Sequence, residues 1–283
     1  MSQSVMKAKR IKIEELKEWT DSQWRQWIVQ KKVDGFRYTR LNGKWASKQG
    51  KKFFNVKEIQ GAFDRVKKLG SSVIIDGELA GKSWQQSMTL FRSSVADVSS
   101  ELKDMTFWVF DLIQPHRLNE PWKDRNEHVL ELIEKINHPQ IKVLPSVTLQ
   151  SFDEFKVAHD LHLAEGCDGS MLKSIFGQYE FKRSKLWLKV KPIYEVDCKI
   201  VGFKPGRGKY EGTLGSILVK IPIAEGRWSK KATGVSGMTD INRHYIWKHR
   251  KELLGSIVEV KYRTISDSDR LIEGRIHRLR SDK

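Results

Sequence analysis

Lys32-Val33-Asp34-Gly35-Phe36-Arg37 holds the most chemistry in the fewest residues of this chain. Lys32 is a nucleophile, Asp34 is an anion two residues away that can orient it, and Arg37 is a cation suited to a phosphate or a sugar. A lysine amine attacks phosphorus only when neutral, so a site built on Lys32 is expected to lower its pKa by partial burial and neighbouring cations. Taken alone, in a chain this rich in lysine, the stretch reads more readily as a charged turn at the end of a strand. Its weight comes from the motifs downstream of it, in order: Ser47-Lys48-Gln49-Gly50, Asp76-Gly77-Glu78-Leu79, the run Phe107 to Leu112, Asp168-Gly169-Ser170-Met171-Leu172-Lys173, Leu188-Lys189-Val190-Lys191-Pro192 and the terminal Arg280-Ser281-Asp282-Lys283.

Elements must bring these residues together. Ile13 to Val29 carries Leu16, Trp19, Trp24 and Trp27 among charges and reads as a helix behind the lysine, which Thr20-Asp21-Ser22 can break or restart. Phe36 to Trp45 alternates about Asn42-Gly43, which predicts a hairpin and sets Lys32 near a strand end. Val73-Ile74-Ile75 reads as a short buried strand that delivers Asp76-Gly77-Glu78 to its end, although a simple turn explains an Asp-Gly pair too. The run Phe107 to Leu112 is apolar throughout, as in a strand covered on both faces. Trp122 to Lys135 and Ser151 to Ala164 have helical spacing, and Arg125 is a minor site candidate on the first. Trp187 to Lys191 alternates, so Lys189 and Lys191 share one face; a solvated strand face would look the same.

Pro192 ends this part of the chain. Val196 to Val201, Ser216 to Ile221, Gly255 to Tyr262 and Glu273 to Leu279 read as strands, with a helix over Ile241 to Leu254. Between the first two strands lies a glycine-rich basic turn, Gly206 to Gly215, which carries Arg207 and Lys209.

Composition bounds the function. With 39% hydrophobic and 31% charged residues the chain can bury ordinary cores, and it is not disordered. A net charge of +17 points to a polyanion, with nucleic acid the default partner, although solubility alone can explain such an excess. From Ile193 onward there are 19 basic and 11 acidic residues, a net of +8, so the excess is denser in the shorter second part. Cys167 and Cys198 form no metal pattern and read as reduced core residues, and the eight histidines are scattered. Met1 to Ile11 lacks the apolar run of a signal peptide and no stretch is long enough to span a bilayer, so the expectation is a cytoplasmic protein with no membrane partner.

In order and spacing these motifs resemble the covalent nucleotidyltransferases, and specifically ATP-dependent DNA ligases of the small bacterial E-type and phage type. The resemblance covers nearly the whole chain. It implies an α+β nucleotidyltransferase domain over residues 1–192, with ATP-grasp-like antiparallel sheets and flanking helices, followed by an all-β OB-fold barrel over 193–283. It also implies a monomer that uses ATP and Mg²⁺, with Mn²⁺ as an alternative, to seal nicked duplex DNA in replication or repair, in a bacterial cell or a phage-infected host. By resemblance Lys32 takes AMP from ATP, with Asp34, Lys189 and Lys191 as its catalytic neighbours. Gln30, Arg37, Glu78, Phe110 and Lys173 would hold the nucleotide, Phe110 by stacking on adenine. Arg280 and Lys283 would orient the pyrophosphate. Glu78 and an acidic residue near 168 would hold the metal, while Ser47, Lys48, Arg207 and Lys209 would touch DNA.

Two departures from the family pattern remain open in the sequence. Lys48 stands where the family has arginine, replacing a bidentate phosphate fork with a point charge. Either Glu165 is the motif glutamate or Asp168 replaces it, and the spacing to Lys173 favours Asp168. Three other activities share parts of the pattern: an RNA ligase, a capping-type guanylyltransferase and a non-catalytic nucleic-acid-binding relative.

Overall fold

The computed structural model describes residues 5–47, 50, 56–66, 69–82, 86–88, 104–266 and 268–280. The chain divides into two compact units, Met1–Lys191 and Pro192–Lys283.

The first unit holds two five-stranded sheets. One has the strand order β1 (Lys7–Arg10), β10 (Arg183–Val190), β9 (Ser170–Ser174), β2 (Trp27–Lys31), β8 (Ser146–Thr148). The other runs β4 (Lys44–Ser47), β3 (Phe36–Leu41), β5 (Ile74–Ala80), β6 (Thr106–Ile113), β7 (Ile141–Val143). Neither sheet is purely antiparallel: β1 lies parallel to β10 and β6 parallel to β7, which corrects the expected all-antiparallel arrangement. The β3–β4 hairpin forms about Asn42 and Gly43, both at positive φ, as an Asn-Gly turn requires.

Three cores hold these layers. Behind the second sheet, α3 (Lys57–Asp64), through Phe63, and α4 (Trp122–Ile136) pack on Tyr38, Trp45 and Phe107. Behind the first sheet, α1 (Ile13–Leu16), α2 (Asp21–Trp24) and α5 (Phe152–Ala164) bury Leu16, Trp24 and Phe155 against Val29 and Leu188. A third cluster, with Met6, Ile74, Ile113, Tyr179 and Trp187, draws on strands of both sheets.

Two expectations fail here for a physical reason. Residues 13–29 are two short helices and the start of β2, because Thr20 caps a new helix with a reciprocal Gln23 bond and Trp27 pairs with Ser174 in the sheet. The tryptophans still gather as expected of a core, with the Trp19 ring 4.9 Å from Trp24 and 5.1 Å from Trp27. Asp76-Gly77-Glu78 lies within β5 rather than beyond its end, since β3 and β6 pair with it on either side through Leu79. In β6 the first half alternates between buried and half-buried residues, so that half has one open face.

The second unit is a five-stranded antiparallel sheet ordered β13 (Thr233–Val235), β12 (Leu214–Lys220), β11 (Tyr194–Pro205), β14 (Ile257–Tyr262), β15 (Arg275–Leu279). Its core of Cys198, Ile200, Ile217, Val219, Val258 and Val260 is closed by Ile246 from α6 (Asp240–Lys248). No described helix is long and apolar enough to cross a membrane.

Candidate active site

The chain leaves the first sheet at the end of β2 and enters the second at β3, and Lys32 to Gly35 form the crossover. Gly35 is required there: a Cβ would stand 2.2 Å from the Leu79 carbonyl oxygen. The Lys32 amide donates to the Gly169 carbonyl at 2.9 Å, and the Asp168 amide donates to the Lys32 carbonyl at 2.9 Å. These bonds fix the lysine against the turn that precedes β9.

Lys32 Nζ pairs with Asp168, whose Oδ2 also lies 2.7 Å from Lys191 Nζ. The Asp168 side chain is 2% exposed and those of Lys32 and Lys191 are 23% and 14% exposed, so one buried carboxylate is shared by two lysines that still reach solvent. Burial alone would raise the Asp168 pKa; the two ammonium groups more than offset it and hold the carboxyl below its usual range. Glu165, the alternative for this position, is exposed and lies 3.5 Å from Lys31. Asp168 is therefore the acidic group at the lysine.

A cavity of about 370 Å³ opens beside Lys32. Gln30 on β2, Lys173 on β9, Phe110 on β6, and Lys189 on β10 with Lys191 just past it line this cavity. Arg37 on β3 and Glu78 on β5 complete the nucleotide set expected within it, and Ser47 on β4, expected at the DNA, lines the same cavity. Asp34 instead lines a smaller neighbouring cavity that shares Lys31 and Val33 with the first. Lys48 and Lys283 lie outside the described residues.

Within the cavity the polar side chains are unequally engaged. Gln30 Nε2 donates to the Leu144 carbonyl at 3.1 Å, whereas its buried Oε1 has no hydrogen-bond partner among the described residues. Lys173 is wholly buried: its Nζ donates to the Phe110 carbonyl at 2.8 Å and lies 4.4 Å from the Trp187 ring centre and 4.7 Å from that of Phe110. Burial pushes its pKa down to about 7 against the pull of Asp111 and Asp76.

Arg37 differs from expectation in its partners. Its Nε donates to Asp76 Oδ1 at 2.7 Å, a second arm binds Asp76 Oδ2, and Nη1 donates to the Met6 carbonyl at 2.5 Å. Tyr179 donates to Asp76 Oδ2 at 2.7 Å and accepts from the Met6 amide at 3.1 Å. Burial would lower the Arg37 pKa, and Asp76 more than reverses this. The fork expected to hold a ribose or phosphate is thus mostly taken by the protein, and Arg37 faces the cavity as a fixed charge 5.6 Å from the Phe110 ring. Tyr179 and Met6 escape sequence reasoning because nothing local marks them, and Asp76, though it stands in a named motif, shows no sign there of its partner; the register of β3 on β5 sets it opposite Thr39 and within reach of Arg37.

Glu78 is pushed up to about 7, first by burial and further by Asp76 and Asp34, with Lys32 and Arg37 pulling it down. The native state therefore holds this proton more tightly than the unfolded chain. The group's contribution to stability is full below the ordinary glutamate range and is lost as pH rises through about 7. Glu78→Gln, which cannot ionise, is expected to raise the thermal unfolding midpoint at about pH 8, by up to about 3 kcal/mol in stability, with the gain gone by about pH 4. Equal midpoint shifts at both pH values would contradict this environment for Glu78.

Residues 5–191 match the family model described as "ATP dependent DNA ligase domain". The chain belongs to that family. The DNA ligase of Enterobacteria phage T4 is 30% identical over 126 residues, which are 43% of this chain and 26% of that protein. The DNA ligase of Archaeoglobus fulgidus is 29% identical over 165 residues, 51% of this chain and 30% of that one. The chain thus spans less than a third of the length of these relatives. The solved structure of Pmar-Lig_Pre matches with a TM-score of 0.81 at 27% identity, over 99% of this chain and 68% of that one. A solved Lig E DNA ligase matches with a TM-score of 0.77 at 20% identity, over 99% and 100% of the two chains, and bears on the fold alone. Both likenesses run through both units, so a ligase nucleotidyltransferase domain is followed by an OB-fold domain.

Two further residues find their places within this ligase fold. Arg125 serves the scaffold: it pairs with Asp111 through two bonds of 2.8 and 3.0 Å and donates to the Glu120 and Gly177 carbonyls. Arg280, just past β15, lies 3.2 Å from Asp197 Oδ1, and its amide donates to the Ile257 carbonyl at 3.0 Å, so it is anchored in the second unit.

Proposed function

We propose that the protein is an ATP-dependent DNA ligase that joins a 3′-hydroxyl to a 5′-phosphate at nicks in duplex DNA. The observation that carries this reading is the Lys32–Asp168–Lys191 ion cluster beside a cavity lined by Phe110, Gln30 and Lys189. In the first step Lys32 Nζ, which reaches solvent, gives up its proton to water, leaves Asp168 and forms a bond to the α-phosphorus of ATP. The bond from that phosphorus to the bridging oxygen breaks, and pyrophosphate departs with the electron pair. Lys189 and Lys191 offset the charge that gathers on the phosphoryl oxygens. AMP then passes from Lys32 to the 5′-phosphate of the nick, and the 3′-hydroxyl displaces it.

Support for adenine comes from Gln30, whose buried, unpartnered Oε1 is an acceptor suited to an exocyclic amine. Phe110 offers an aromatic surface for the base, and Arg37 and Glu78 face the sugar side. No group of three or more ligating side chains occurs among the described residues. The donor set nevertheless fits Mg²⁺, or Mn²⁺, because such ions are held by one or two carboxylates together with substrate phosphates and water. Glu78 and Asp168 would be those carboxylates. When bound, the ion would polarise the phosphoryl oxygens.

The basic excess supports a grip on the DNA backbone, with Ser47 in the first unit and Arg207 and Lys209 in the second among the contacts. Nicked-duplex affinity is accordingly expected to fall by roughly 10³-fold or more between about 50 and 200 mM salt. A flat salt response would remove the electrostatic grip from the account. The activity itself is tested by sealing of a labelled nick with ATP. Sealing that required GTP, or a nick in RNA, would favour the RNA ligase or capping reading; nucleic-acid binding without any nucleotide transfer would favour a non-catalytic relative.

A further inference from the structure

The turn between β11 and β12 is more heavily built than a hairpin needs to be. The Gly206 amide donates to the Thr213 carbonyl at 2.8 Å, and Thr213 Oγ1 donates to the Tyr210 carbonyl at 2.7 Å, closing residues 206–213 into one compact loop. Gly206 permits the closure, since a Cβ there would lie 2.1 Å from the Tyr210 carbonyl oxygen. Lys204, Arg207 and Lys209 are exposed on this loop and its approach, against a single carboxylate, Glu211.

Behind the loop sits Arg243 of α6, 6% exposed. One guanidinium nitrogen, Nη1, donates to the carbonyls of both Leu214 and Gly215, the latter at 3.1 Å. Its Cζ lies 4.0 Å from the Tyr210 ring centre, and Lys209 Nζ lies 4.5 Å from the same ring. The nearest acid, Asp240, is 75% exposed and 4.0 Å away, and Arg243 Nε has no hydrogen-bond partner among the described residues. A buried cation with so weak a counter-ion is costly to the fold. Two backbone carbonyls and an aromatic face offset part of that cost. What the remainder secures is a rigid link from the helix through Tyr210 to Lys209, with added positive potential beneath the loop.

We infer that Arg243 is a positioning residue that, through Tyr210, holds the Arg207–Lys209 turn as a preformed grip for the phosphate backbone of the DNA. The inference rests on the ligase reading for its choice of partner. Fixing Lys209 and the backbone that carries Arg207 in advance lowers the ordering cost of binding, so the loop should govern affinity for the nick more than the rate at the phosphorus.

The test uses the full chain. Binding of labelled nicked duplex is measured by anisotropy without ATP, and single-turnover sealing is measured from pre-adenylated protein, for Arg243→Met, Lys209→Ala and the double variant. Arg243→Met is expected to weaken binding about tenfold, with a smaller change in the maximal sealing rate and a shallower salt dependence. The double variant should bind no more weakly than the weaker single one, because both remove the same presented charge. Additive losses, or unaltered binding with Lys209→Ala, would overturn the inference. Should Arg243→Met fail to fold, Tyr210→Leu breaks the same link and must weaken binding likewise; full affinity in that variant also overturns it. Tight nick binding by a wild-type protein that transfers no AMP would instead count against the ligase reading and leave the loop measurable.

Discussion

Lys32→Ala is expected to abolish transfer of AMP to the protein and, with it, sealing of an ordinary nick, a loss on the order of 10⁶-fold of the kind seen when an enzyme's nucleophile is removed. The variant should still fold. Asp168 keeps Lys191 as a partner at 2.7 Å, and the backbone bonds between Lys32, Asp168 and Gly169 do not depend on the side chain. The two steps separate by substrate: a nick supplied already adenylated needs only attack by its own 3′-hydroxyl, so the variant should keep part of that last step. Loss of the last step as severe as loss of the first, in a folded protein, would mean that Lys32 acts by charge or position rather than as the nucleophile.

Asp168→Asn is the second large effect expected. The carboxylate is the shared counter-ion of Lys32 and Lys191, so the isosteric amide leaves two ammonium groups facing each other. Adenylation should fall by about 10² to 10³-fold, the range for losing one preorganised group from a site that stabilises transition-state charge. Stability should fall as well, by about 1–3 kcal/mol, less than for a fully buried pair because both lysines reach solvent. The pH dependence has a definite sign. Since the native Asp168 pKa is held below its ordinary value, the pairing contributes above the unfolded aspartate pKa and is lost as pH falls. The gap in unfolding midpoint between wild type and Asp168→Asn should therefore be widest near neutral pH and close in acid. A gap that persisted in acid would point to packing rather than charge.

How much of the molecule is legible in its sequence depends on how far a feature reaches along the chain. The Asn42-Gly43 hairpin and the helices at 122–136 and 152–164 are set by local turn chemistry and periodicity, and their pattern is visible in the residues themselves. Residues 13–29 mislead because three tryptophans at near-helical spacing outweigh a capping threonine, while pairing of Trp27 in the sheet is a tertiary fact. The motif residues named as site candidates mostly meet in one cavity, but the sequence does not reveal what each one touches. The Arg37–Asp76 pair spans 39 positions and follows from strand register. Lys173 is expected from its motif to hold the nucleotide, but the sequence does not show that it lies between the Phe110 and Trp187 rings with no water-facing surface to speak of. Arg243 carries no signal at all beyond one charge on a polar helix.

The most direct test of the central claim is the intact mass of the protein after incubation with Mg²⁺ and either ATP or GTP, in wild type and Lys32→Ala, before and after addition of nicked duplex. The account predicts one AMP on wild type with ATP only, none on Lys32→Ala, and its loss when the nick is added. An adduct on Lys32→Ala, a GMP adduct in place of AMP, or an AMP adduct that nicked DNA does not discharge would contradict it.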